Sequence, residues 1–192
     1  MLFIAFGHRK RVGKDTAARF LSAYLRLKKK GLDIQQKGFG DKVKDITHQL
    51  YGWAGLQPGH YYEKPENAHL IEQILPRIGK SPRQIWIEFA TKVAREVYAD
   101  TWLDYVLQTT EGDVCILKDL RFPNEAHKIL DFGGYIYKIN RADAPNNSDL
   151  ADDQLVEFNQ WTKILDNNGS IKEFHDKITT EIGDTILAQL NE

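Results

Sequence analysis

The chain has 192 residues, 42% of them hydrophobic and 28% charged, with a formal net charge of -1. That length suits one well-filled domain with a small insertion, the composition argues against disorder, and so balanced a charge excludes bulk binding to polymeric nucleic acid. A single cysteine, Cys115, excludes an intrachain disulfide and any cysteine-cluster metal site; with neither a leader-like nor a membrane-length apolar run, a cytoplasmic protein that meets no membrane is expected.

The apolar run Leu2-Phe3-Ile4-Ala5-Phe6 predicts a strand that feeds Gly7-His8-Arg9-Lys10-Arg11-Val12-Gly13-Lys14-Asp15-Thr16 and then a helix from Ala17. A glycine-bounded loop entering a helix turns successive backbone N–H groups inward, and the helix's positive end adds to them, so a phosphate fits there. Lys14 would reach the outer phosphates, and Arg11 would join the loop's contacts with ATP. The usual spacing places four residues between the glycines and a hydroxyl residue directly after the lysine. Here five residues separate Gly7 from Gly13, and Asp15 stands before Thr16. Magnesium keeps several waters and needs few protein ligands, so it would be met by Thr16 through a water or by Asp15 as an oxygen ligand.

The helix continues through Phe20, Leu21, Tyr24, Leu25 and Leu27 to a stop at Gly31, and Lys28-Lys29-Lys30 reads as a solvated last turn opposing the helix dipole. Residues 34–39 predict a second strand, which Gly38-Phe39-Gly40-Asp41 turns into a helix carrying Val43, Ile46, Leu50 and Tyr51. Asp41 is expected to cap it, with substrate contact as the alternative. Residues 52–65 read as a long loop before a helical stretch ending near Gly79. Ser81-Pro82 then starts a helix over 81–97 whose Ile85, Trp86, Ile87, Phe89, Ala90, Val93, Ala94 and Val97 cover most of its circumference, so it should be largely buried. Arg83 and Arg95 on that helix would have to pair with Glu88, Glu96 or Asp100, or meet a phosphate, and the sequence leaves both open.

Residues 113–117 form a nearly continuous apolar run, as in a central parallel strand, and deliver Asp119-Leu120-Arg121-Phe122-Pro123-Asn124-Glu125 to the strand's end, where ligands of open α/β sheets gather. Asp119 can orient a magnesium-bound water and Arg121 can neutralise a transferring phosphoryl group; a mutual ion pair capping the next helix is the alternative. Gly133-Gly134 leads to a strand over 135–139, Arg141 lies just beyond it, and the polar stretch 142–153 suits a lid. A last strand over 162–165, the turn Asp166-Asn167-Asn168-Gly169-Ser170 and a helix over 171–190 close the chain. Strands alternating with helices predict a parallel sheet covered on both faces.

Together these motifs resemble the bacteriophage deoxynucleoside monophosphate kinases, within the P-loop nucleoside monophosphate kinase fold, along nearly the whole chain. The resemblance rests on Gly13-Lys14-Asp15-Thr16, on Gly38-Phe39-Gly40-Asp41 with Lys44, on Ser81-Pro82-Arg83 with Arg95, Asp100 and Trp102, and above all on the segment from Asp119 to Glu125. It implies a three-layer α/β kinase fold with a central parallel sheet, a helical acceptor-binding insertion near 41–105 and a short lid near 141–161. The implied activity is magnesium-dependent phosphoryl transfer from ATP to a deoxynucleoside monophosphate. Lys14, Asp119 and Arg121 would be catalytic, and Asp41, Lys44, Arg83, Arg95, Trp102, Arg121 and Glu125 would serve the acceptor. Arg141 would act from the lid. The closing turn is similar to the one that covers adenine in dephospho-coenzyme A kinase, which gives Asn167 and Gly169 to ATP. Lys118 departs from the small residue usual before the aspartate, and Asn147-Ser148-Asp149 only loosely matches the lid. A phosphomevalonate-like acceptor and a non-catalytic nucleotide sensor are the competing readings, and the oligomeric state stands open between monomer and homodimer.

Overall fold

The apolar runs become strands β1 Leu2–Gly7, β2 Ile34–Lys37, β3 Val114–Leu120, β4 Tyr135–Asn140 and β5 Lys163–Asp166 in a computed structural model that describes residues 1–144 and 154–191. The intervening helices are α1 Lys14–Lys28, α2 Asp41–Tyr51, α3 Gly59–Tyr62, α4 Pro82–Glu88, α5 Arg95–Val97, α6 Thr101–Thr109, α7 Pro123–Asp131, α8 Ile171–Lys177 and α9 Asp184–Gln189. Two compact units result, one from Met1–Gly38 with Thr109–Glu192 and one from Phe39–Gln108.

In the first unit the strands pair in the order β2-β3-β1-β4-β5, every pair parallel, which is the α/β sheet expected. The chain leaving β1 crosses to one side of the sheet to reach β2, and the chain leaving β3 crosses back to reach β4. Both crossovers being right-handed, α1 and α7 cover opposite faces. The α1 face is closed by α8, α9 and the π-helical segment Ile178–Gly183 between them. There Ala17, Ala18, Leu21 and Leu25 pack with Phe174, Ile178, Ile182 and Ile186 over Ile4, Phe6, Ile116 and Tyr137. Because the sheet is wholly parallel, all five strand ends deliver their loops to one edge, and the reversal of direction beside β1 opens a crevice there.

The second unit has its own small core of Leu56, Tyr62 and Ile85, backed by Tyr51, Leu70, Leu75 and Trp86. Three expectations fail in it. The helical stretch ending near Gly79 is only a 3₁₀ turn, Ala68–Glu72, followed by a hairpin-like bridge from Leu75 to Lys80. Pro76 is the cause, since it disfavours helical backbone at Leu75 and removes a donor. Residues 81–97 do form a helical rod, but Phe89–Ala94 is π-helical and the rod is not largely buried: Ile87, Val93 and Val97 are 47%, 51% and 85% exposed. A π turn holds more residues than an α turn, so the apolar stripe slips around the axis after Glu88. Asp41 is not the cap of α2 either; Gly40 occupies that position and Asp41 is the first helical residue. Among the described residues no helix is long and apolar enough to cross a membrane.

Candidate active site

The loop after β1 carries a left-handed backbone at three places, His8 (φ 91°), Arg11 (φ 59°) and Gly13 (φ 108°). Residues of this hand set between right-handed ones turn successive N–H groups toward one point, and the head of α1 continues the same cradle. Gly13 is required twice over: its φ is unfavourable for a side chain, and a Cβ there would stand 2.5 Å from Asn167 Nδ2. Gly7 is required by crowding, because a Cβ would meet the Trp161 ring at 2.7 Å. Lys14 is 7% exposed, and its ammonium donates to the carbonyls of His8, at 3.1 Å, and of Arg9. Its ammonium is thus largely withdrawn from water. Arg11 and Asp15 are exposed, and Thr16 is half-buried with its hydroxyl 3.5 Å from Arg19 Nη2.

Across the crevice, β3 ends at Leu120 and α7 begins with Pro123. The buried Glu125 carboxylate accepts from the backbone N–H groups of Arg121 and Phe122, at 3.0 and 3.1 Å, so it fixes the turn that carries Arg121. Asp119 and Arg121 are both half-buried beside it. Arg141 is exposed just beyond β4, and the lid motif Asn147-Ser148-Asp149 lies outside the described residues. After β5, Asn167 donates through Nδ2 to the Val12 carbonyl at 2.8 Å, and Asn168 accepts the Ala142 N–H at 2.7 Å, so the closing turn holds both the glycine loop and the start of the segment that follows β4. Gly169 follows, and Ser170 opens α8 with a reciprocal cap: its hydroxyl accepts the Glu173 N–H, while the Glu173 carboxylate takes the Ser170 N–H and hydroxyl. Those bonds hold the Glu173 pKa below the ordinary range.

The remaining acceptor candidates lie in the second unit. Lys44 pairs with Glu63 at 3.2 Å and Asp41 at 3.8 Å, and stands over the Trp86 ring at 5.7 Å. Arg83 is half-buried, not buried, and its ion-pair partner is Glu72, which replaces the Glu88, Glu96 or Asp100 expected from the sequence; Glu88 pairs with Lys80 instead. Arg95 is also half-buried. Trp102 is 5% exposed and donates to the Ala90 carbonyl at 3.1 Å, a packed position that ties α6 to the rod.

No protein-family model matches the chain. It is similar to a protein of Acanthamoeba polyphaga mimivirus named "Putative deoxynucleotide monophosphate kinase", with 25% identity over an alignment that covers 93% of this chain and 94% of that one. The likeness runs almost end to end. Among solved structures, a shikimate kinase from Aquifex aeolicus shares 15% identity at a TM-score of 0.47, covering 97% of this chain and 99% of that one. A structure described as a putative kinase from Chloroflexus aurantiacus shares 12% at 0.37, with 95% and 96% covered. The fold here rests on this chain's own strand order and loop.

Among the described residues, no three or more His, Cys, Asp and Glu side chains gather as a metal cage. The oxygens near the loop, those of Thr16 and Asp15, are instead of the kind magnesium takes one or two at a time alongside phosphates. Cys115 is buried in β3 and burial pushes its pKa up to about 11, so the single thiol is unreactive. Sequence reasoning missed the aromatic cover of the loop's first glycine. Trp161 lies against Gly7, donates to the Phe158 carbonyl at 2.9 Å and meets the Phe158 ring edge-on, and Phe158 in turn meets His127. The only sequence signal was two aromatics just before the last strand.

Proposed function

We propose that this protein transfers the γ-phosphoryl group of ATP to the 5′-phosphate of a deoxynucleoside monophosphate. The observation that carries the reading is the loop itself: left-handed turns at His8, Arg11 and Gly13 that gather backbone N–H groups at the head of α1, with Lys14 beside them. The full-length likeness to the mimivirus protein supports the choice of acceptor.

An acceptor phosphate oxygen attacks the γ-phosphorus in line, the bond from that phosphorus to the β–γ bridging oxygen breaks, and ADP leaves with that electron pair. The acceptor becomes a diphosphate. Its phosphate is largely ionised at neutral pH, so no strong base is needed, and positioning with charge neutralisation carries the catalysis. Lys14 serves the β and γ phosphates from a buried position, where charge neutralisation counts for more than in water. Arg121, held by the Glu125 cap, serves the transferring group, and Asp119 the solvent shell opposite it. Asn167 and Gly169 bound the adenine end. Asp41, Lys44, Arg83 and Arg95 supply the acceptor end, with Trp102 as packing. Thr16 and Asp15 would hold magnesium, which would supply positive charge to neutralise the phosphates.

The test is ADP release from ATP and magnesium against a panel of deoxynucleoside and ribonucleoside monophosphates, with phosphomevalonate included. Turnover with several deoxynucleoside monophosphates is expected. Activity with phosphomevalonate alone would move the acceptor, and ATP binding without transfer would make the protein a sensor.

A further inference from the structure

Parallel strands β1 and β3 keep step from Leu2↔Val114 to Ala5↔Leu117 and then lose it, for the next aligned pair is Gly7↔Leu120. Between those pairs β1 has one residue, Phe6, and β3 has two, Lys118 and Asp119, which is a β-bulge at the mouth of the crevice. Ala5 and Gly7 share one face of the sheet because strand side chains alternate. Leu120 shares that face too, since a Cβ on Gly7 would touch its side chain at 3.2 Å. The two bulge residues therefore span the single pleat opposite Phe6, whose ring packs in the core under α1. Lys118, two residues after the core residue Ile116, keeps the face on which the glycine loop enters α1, and the extra residue places Asp119 between it and Leu120.

Lys118 is half-buried, and among the described residues its side chain has neither a hydrogen bond nor an ion pair. Lys14 is differently placed, because loop carbonyls already accept from it. An unpartnered ammonium on a half-buried four-carbon stem at a bulged strand end is a charge that an anion can satisfy. We propose that Lys118 is a second phosphate-binding lysine, which contacts the phosphate chain of the bound nucleotide from the β3 side while Lys14 contacts it from the loop. This rests on the phosphoryl-transfer reading above.

The experiment is calorimetric titration of ATP, without acceptor, into the wild type, Lys118→Met, Lys118→Gln and Lys118→Arg, with thermal melting of each. A lost charge-assisted contact should weaken ATP binding about tenfold in the Met and Gln variants at unchanged melting temperature, and arginine should restore most of it. Wild-type affinity in Lys118→Met or Lys118→Gln would overturn the proposal, as would unfolding of both, which would make the lysine structural. A wild type that binds ATP and turns over while ignoring these substitutions sinks the lysine alone. A wild type that binds no ATP sinks the kinase reading with it.

Discussion

Two cations of this molecule are held in opposite ways. Lys14 is buried and bonded to the neutral carbonyls of His8 and Arg9, whereas Arg83 is half-buried and bonded to the charged carboxylate of Glu72. A phosphate arriving at Lys14 meets an ammonium in a low-dielectric setting, where the attraction between full charges is strong. A phosphate arriving at Arg83 must displace a carboxylate that already satisfies part of the guanidinium, so the net gain is small. The lesson is that a cation's worth to an anionic ligand depends on what it gives up.

That contrast can be broken most directly at Lys14. Lys14→Ala should lower turnover about a hundredfold or more while the fold persists, because the lost contact acts on developing charge; steady-state kinetics with a melting curve checks both halves. Gly13→Ala should come next. It forces a side chain into φ 108° and against Asn167, so ATP binding should collapse together with about 1–3 kcal/mol of stability, read by calorimetry and denaturant unfolding. Arg121→Ala should lower kcat with little change in acceptor KM, whereas Arg83→Ala should mainly raise acceptor KM. Unchanged kinetics with lower melting temperatures in both would make them structural ion-pair partners. Glu72→Gln sharpens the comparison: if Glu72 competes with the acceptor for Arg83, its neutralisation lowers acceptor KM severalfold, as loss of one surface pair allows. The smallest effect belongs to Glu173. Its pKa is depressed by the Ser170 N–H and hydroxyl, so its stabilising contribution is present above the ordinary carboxylate pKa and is lost as pH falls through the depressed value. The melting difference between wild type and Glu173→Gln should therefore shrink on acidification.

Much of the first unit was readable because its rules are local. Short apolar runs, a glycine loop before a helix and Gly133-Gly134 before a strand each declare themselves within a few residues. The second unit obeyed distant rules. Nothing near Arg83 in sequence pointed to Glu72, eleven residues back across a 3₁₀ turn and a proline, and periodicity over 81–97 could not show where a π segment would rotate the apolar stripe. The Glu125 cap was hidden for another reason: the same carboxylate fits a substrate role and a backbone role, and only geometry shows which amides it holds. Trp161 carries no motif at all, yet it fills the space that Gly7 leaves.

The hydrogen bond from Asn167 to Val12 joins residues 155 positions apart. During synthesis the glycine loop leaves the ribosome well before the amide that fixes it. A nascent chain holding β1, α1 and even β3 still lacks a finished nucleotide cradle, because long-range closure of this kind must wait for the distant partner. Nucleotide is therefore denied to the growing chain until β5 has paired with β4. Fragments released before residue 167 would hold the whole glycine loop and still bind ATP poorly.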